Sequence, residues 1–495
     1  MREGNWALAR DSFAAADTAE ACEGLSWAAW WLDDAETVLS AREHAFRRYR
    51  ERDELAAAAR MATWIGADQN DFHGATAAAS GWFERARRLL DPLAPGAEHG
   101  WLAFHEGYLR HRAGEGEAAR ALATEAADLG RRFGVPDLEM LGLALEGASL
   151  VAAARVREGM RRLDEAAAIA LEERAEIPIS GAWVCCFLVS ACLEVYDFER
   201  AFAWSDRVAA FAQRYGSRWM LAFCRAEYGA VHRWRGRWSE AEALLEAAIV
   251  DFAHSRPAWA PGPLTGLAEL RRRQGRTTEA LELLDRAGAT THLCRAQIAL
   301  DRGDTRAAAE LADRLLRQIG AERRLARAGP LDVSARAHRS VPAATELREL
   351  AELAGTAPLK AIADRAEGVA RGDRALLEDA VDGFAGAPYE AAQARLDLAR
   401  VLERDGRVRA AANEREAANR VLRELGAGRP PLPELTPRER EVLTLLAHGL
   451  TNRQLAARLI VSEHTVHRHV TNILRKLDAP SRAAAAAHAA RNGLI

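Results

Sequence analysis

The sequence predicts an all-α chain, a long array of helical hairpins followed by a small helical domain at the carboxyl end. Three observations carry this. Ala, Leu, Arg and Glu dominate almost every window, and stretches of alternating β-branched residues are nearly absent. One phrase of small and apolar residues at helical spacing recurs through most of the chain. The last residues are punctuated by a complete set of helix caps. With 495 residues, 49% hydrophobic and 28% charged, the chain exceeds one core and should fold as at least two units.

The recurrent phrase is a glycine followed by small or apolar residues five, nine and twelve positions on. Its cleanest copies are Gly236, Ala241, Leu245, Ala248; Gly275, Ala280, Leu284, Ala287; and Gly303, Ala308, Ala312, Leu315. Earlier copies are Gly4, Ala9, Phe13, Ala16; Gly81, Ala86, Leu90, Leu93; and Gly114, Ala119, Ala123, Ala126. Looser ones are Tyr196, Ala201, Val208; Gly372, Leu377, Val381, Phe384; and Gly406, Ala411, Ala418. Glycine permits the left-handed turn between antiparallel helices, and the other positions form one helix stripe whose alanines allow close approach.

This spacing resembles the second helix of a tetratricopeptide repeat, whose unit is about 34 residues, although intervals here run nearer 39 or 40. A TPR-like helical repeat superhelix is therefore expected over residues 1–425. The first copy begins with almost no preceding helix, so the array is expected to lack an N-terminal cap or an upstream segment. Residues 321–342 break the period and read either as an irregular repeat or as a long loop. Gly426 to Pro433 (GAGRPPLP) reads as a linker, with three prolines imposing an extended connection.

Several function classes find no support. No secretory signal follows Met1, and the most apolar stretch, Ile179 to Leu193, is bounded by Glu176 and Glu194 and is shorter than the roughly 20 residues of a bilayer span. A cytoplasmic protein without membrane association is expected. Six cysteines lack paired Cys-x-x-Cys spacing and read as reduced core thiols. Neither lysine, Lys360 or Lys476, follows a glycine, so no phosphate loop can be drawn. Without a nucleophile elbow, metal spacing or framed carboxylates, the chain is expected to be no enzyme and to need no cofactor. His464, His467 and His469 diverge along one helix and lack a completing ligand, which argues against a metal. All 13 tryptophans fall between Trp6 and Trp259. They read as core packing between helices or as an aromatic-lined groove for an effector or peptide, packing being the simpler account.

From Glu434 to Ile495 four helices can be placed. Thr436, Pro437 and Glu439 make a capping box, and Gly449 supplies the stop. Thr451 with Gln454 opens a short second helix ending near Leu459, and Ser462 caps the third. In that helix, about 463–477, Val466, Val470, Ile473 and Leu477 form the buried stripe. Its other face carries His467, Arg468, Thr471, Asn472 and Arg475, with no carboxylate among them, which suits phosphates and base edges. Two short helices so arranged can place the second in the major groove of double-stranded DNA. Residues 434–495 hold nine Lys or Arg against five Asp or Glu, whereas the rest of the chain holds 59 against 66, so the positive charge is confined to this block.

The block resembles the C-terminal DNA-binding domain of LuxR-type regulators in the phrases LTPREREVL, Asn-Arg-Gln-Leu-Ala and Ser-x-x-Thr-Val-x-x-His-Val. The resemblance implies a DNA-binding transcriptional regulator with a four-helix LuxR-type helix-turn-helix domain over 434–495. It places His467, Arg468 and Thr471 at base edges and Thr465, Asn472 and Lys476 toward the DNA backbone. Where the family usually has Lys, this chain has His467, which makes that contact weaker or dependent on pH. The resemblance also implies RNA polymerase as a partner and a homodimer on a two-fold site through the last helix, about Ser481 to Arg491. The alanine run there reads equally as an intradomain core face. Large LuxR-type regulators join an ATP-hydrolysing module to a TPR-like array and this domain, and the chain resembles their C-terminal part without that module. An effector or protein partner is expected on the array. The alternative reading is a TPR-like interaction scaffold whose last domain does not bind DNA.

Overall fold

A computed structural model of the chain describes residues 5–171, 177–288, 292–427, 435–477, 479 and 481–491, with the backbone alone at 178, 292 and 487–491. Among the described residues the regular structure is helical and no strand occurs. The chain divides into two compact units, one ending at Leu425 and one starting at Gly426, apart from the short segment 273–276, which groups with the second. Most of the 426–433 stretch lies outside the described residues.

The first unit is a TPR-like array in which most helices pack against their neighbours in sequence. The recurrent phrase marks the second helix of each pair. Gly114, Gly236, Gly275, Gly303, Gly372 and Gly406 all have φ between 68° and 84°, the left-handed turn that favours glycine. Positions five and nine on are buried in nearly every copy, as Ala119 with Ala123 and Ala280 with Leu284 illustrate. Left-handed turns at Asp33, Gly74, Gly114, Ala154, Tyr196, Gly236 and Gly275 follow one another at 39 to 42 residues, which sets the repeat length.

Two copies differ from the sequence reading. Gly81 lies inside the helix Thr76–Leu90 rather than at a turn; the turn is at Gly74, φ 64°, and Ala79, Phe83 and Ala86 are the buried stripe. Leu93 falls beyond that helix. In the first copy Gly4 lies outside the described residues, and Ala16 is exposed beyond the end of the helix Trp6–Ala14. Residues 321–342 form an irregular repeat: a single turn Leu325–Arg327, the helix Ala328–His338, and the start of Val341–Ala354 capped by Ser340. Leu325, Leu331 and Val333 supply its buried contacts.

Close approach in the array depends on glycine as well as alanine. The helices Pro136–Ala152 and Val156–Leu171 cross where a Cβ on Gly147 would meet Gly159 O at 2.7 Å and one on Gly159 would meet Gly147 O at 2.6 Å. Most tryptophans are buried packing elements. Trp27 and Trp64 stack on the fully buried Arg42 at 4.8 and 5.2 Å, and Arg42 pairs with Asp68 at 2.9 Å. All six cysteines are free thiols. No helix among the described residues is long and apolar enough to cross a membrane.

Candidate nucleic-acid interface

Among the described residues the second unit has four helices, Pro437–Ala447, Asn452–Leu459, Glu463–Lys476 and Arg482–Arg491. Local chemistry fixes the start of the first three. Thr436 Oγ1 accepts from Glu439 N at 3.2 Å while Glu439 Oε2 accepts from Thr436 N at 2.9 Å, a closed capping box. Thr451 and Gln454 repeat it, with Gln454 Oε1 accepting from Thr451 N at 2.9 Å. Ser462 Oγ accepts from Thr465 N at 3.1 Å and opens the third helix. Gly449, φ 80°, ends the first helix, whereas the turn after the second places Ile460 in the left-handed region at φ 54°.

Val466, Val470, Ile473 and Leu477 are buried with Leu443, Leu446 and Leu455 in one apolar core. Burying this stripe turns the opposite face of the third helix outward. His467, Arg468, Thr471 and Arg475 are exposed, while Thr465 and Asn472 are half-buried at its edges. From His467 to Arg475 no acidic residue interrupts this face. Thr465 is partly committed, because its hydroxyl shares a 2.8 Å hydrogen bond with Ser462 Oγ.

Lys476 has a different environment from the other five residues named from the sequence. Its ammonium donates to Glu439 Oε2 at 2.6 Å, and Glu439 is almost fully buried. Burial opposes ionisation of Glu439, but the donors from Lys476 and Thr436 outweigh it and hold the carboxyl below its ordinary range. The pair locks the end of the third helix to the start of the first. Sequence reading missed this brace. It also missed two arginines that satisfy helix ends: Arg438 donates to Leu459 O at 2.6 Å, and Arg482 to Leu450 O at 2.7 Å and Asn452 Oδ1 at 2.8 Å. In the last helix Ala485 is buried within the domain core while Ala483 is exposed, and the side chains from 487 on lie outside the described residues.

The arrangement is a rigid, capped helix presenting cationic and hydrogen-bonding groups on one side. Such a face can reach phosphate oxygens and base edges together.

Residues 433–489 match the model of the family described as "Bacterial regulatory proteins, luxR family". The chain is 42% identical over 85 residues to the transcriptional regulatory protein LiaR of Bacillus subtilis, covering 17% of this chain and 40% of that protein. It is 49% identical over 73 residues to the nitrate/nitrite response regulator protein NarP of Escherichia coli, covering 14% and 34% respectively. The chain thus spans less than half the length of these two relatives. Among solved structures, a Rap protein complexed with competence and sporulation factor aligns over 82% of this chain and 98% of that one, at 14% identity and a TM-score of 0.44.

Proposed function

We propose, from the premise that residues 433–489 form a helix-turn-helix domain of the bacterial luxR regulatory family, that the chain is a transcriptional regulator binding double-stranded DNA. The observation that carries this reading is the outward face of Glu463–Lys476, cationic and free of acid from His467 to Arg475. The helix enters the major groove; His467, Arg468 and Thr471 meet base edges, and Thr465 and Asn472 approach the phosphates. Lys476 reaches a phosphate from within its pair with Glu439, serving as an anchor of the helix first. Residues 434–495 act as the DNA-binding module, 426–433 as the connection, and 1–425 as a sensory or protein-interaction module. The exposed part of the last helix supports a homodimer on a two-fold site, and RNA polymerase is the partner at the promoter.

The test is binding of the full chain to duplex DNA across a salt series. Neutralising several phosphates releases counterions, so log K falls steeply and linearly with log salt. Arg468→Glu is expected to lose at least about tenfold in affinity with unchanged helicity. A chain that ignores every duplex at low ionic strength is instead an interaction scaffold.

A further inference from the structure

We propose that a half-open cavity of the repeat array binds a small organic cation, a protonated amine on an apolar body, with its ammonium at Glu194 and its body among aromatic rings. The inference deepens the sensory reading of residues 1–425, on which it rests for calling such a ligand an effector.

The cavity, about 250 Å³ and partly open to solvent, is lined wholly by residues of the first unit. The helices Leu55–His73, Ala97–Ala113, Pro178–Glu194 and Arg218–Trp234 wall it, together with the turn Pro257–Trp259. Phe104, Trp183, Trp219 and Trp259 give it an aromatic lining, with Phe104 and Trp183 rings 6.2 Å apart and Trp219 and Trp259 also 6.2 Å apart. Rings in this arrangement take up the apolar body of a ligand and present π faces to a cation.

The polar groups around the cavity are not those of a finished core. Trp219 Nε1 and His105 Nε2 are buried without a hydrogen-bond partner among the described residues, although both residues are at least nine-tenths covered. Buried donors and acceptors are ordinarily paired, and the neutral His105 ring has one nitrogen that can accept an N–H from a ligand, whereas Trp219 Nε1–H only donates and offers an ammonium its π face alone. Asp71 and Glu194 line the same cavity, and each occupies the last turn of its helix, where the partial negative charge of the helix end disfavours a carboxylate. Neither placement stabilises the fold.

The charges decide the class of ligand. Arg112, also in a last turn, faces Asp71 and Tyr108 and lies 5.0 Å over the Trp259 ring, so its charge is already answered. Asp71, which burial pushes up, is countered by Arg256 and Arg112. His105 and His111 are neutral at physiological pH, since burial drives them down to about 3 and about 4. The Cys186 thiol is pushed up by burial and stays neutral as well. Glu194 is left least compensated: burial raises its pKa, and among the described residues only Arg323 acts against this. A ligand ammonium adds a second positive charge beside Glu194 in the cavity wall, whereas an anionic ligand would be repelled by that carboxylate.

Isothermal titration of the full chain with phenethylamine, phenethyl alcohol and 3-phenylpropanoate tests this, read alongside quenching of tryptophan fluorescence. The amine should bind at least about tenfold tighter than either analogue, and Glu194→Gln should lower amine affinity by about tenfold while leaving the alcohol unchanged. A thermal melt of Glu194→Gln matching the parent chain shows that the fold is kept; if that variant fails to fold, Trp219→Phe replaces it and should weaken the amine severalfold. No amine binding at millimolar concentration, equal binding of amine and alcohol, or tighter binding of the acid overturns the proposal. Duplex binding measured on the same samples separates the two readings, because its loss counts against the helix Glu463–Lys476 and not against the cavity.

Discussion

Lys476 Nζ donates to Glu439 Oε2 at 2.6 Å, and that carboxylate oxygen also accepts from Thr436 N. One buried oxygen therefore ties the cap of the first domain helix to the last turn of the helix proposed to read DNA. Lys476→Ala leaves Glu439 buried and short of its cation, at a cost on the order of 2 kcal/mol to the domain. Amide exchange over 437–477 should speed up correspondingly in the full chain, with the array unchanged.

The same pair sets an acid limit. Because the folded-state pKa of Glu439 is depressed, its contribution is present above the unfolded value of 4.5 and is lost as pH falls below it. Glu439→Gln, which keeps an acceptor for Thr436, should flatten the fall in protection of residues 437–477 on acidification. An unchanged pH profile in that variant would show that the pair does not anchor the helix.

Ile460 is 92% exposed and sits at φ 54°, a conformation that costs a β-branched residue about 1–2 kcal/mol. Ile460→Gly should stabilise the domain by about 1 kcal/mol, less the entropy of a freer unfolded chain. Denaturant titration followed by exchange over 437–477 measures it, and a destabilised variant would refute the strain argument.

The domain was legible because its signals are local. Each capping box joins residues three apart, so Thr436 with Glu439 and Thr451 with Gln454 could be placed from sequence, and the Val466, Val470, Ile473 stripe followed. The pairing of Lys476 with Glu439 spans 37 residues and leaves no local trace. In the array the phrase was found where glycine makes the turn. It was hidden at Asp33 and Ala154, which take the same left-handed turn without being glycine. Five, nine and twelve residues after Asp33 stand Val38, Arg42 and Ala45, all fully buried, so the stripe there is kept without the glycine. The misplaced copy at Gly81 arose because two registers share Ala86. The cavity was invisible because its wall gathers residues from Ala67 to Trp259 that only the packing of several helix pairs brings together.

Two glycines inside helices should respond in opposite directions to alanine. At Gly147 the new methyl would lie 2.7 Å from the backbone oxygen of Gly159, which cannot rotate away, so Gly147→Ala should cost about 1–3 kcal/mol despite alanine's better helix propensity. Gly81, in the middle of Thr76–Leu90, has nothing within 4 Å of an added Cβ, and Gly81→Ala should stabilise by about 0.5–1 kcal/mol. Thermal melts of the two variants settle the sign. Equal effects would mean that helix contact at Gly147 is looser than the geometry requires.

His105 gives the array its own acid sensitivity. Its ring packs 4.7 Å from Trp64, and burial, reinforced by Arg42, lowers its pKa from 6.5 to about 3. Between these values the unfolded chain binds a proton that the folded chain refuses, so stability is full above pH 6.5 and falls as pH drops toward 3. Asp68 acts in reverse, since burial raises it to about 6 and its protonated form favours the fold on acidification. The two partly cancel in the parent chain, which is why the difference between variants is the informative quantity. His105→Gln should make the array's melting temperature fall less between pH 7 and pH 4, by up to about 1.4 kcal/mol of stability per pH unit. Parallel curves for the two proteins would mean that the imidazole titrates in the folded state, through solvent admitted by the cavity it lines.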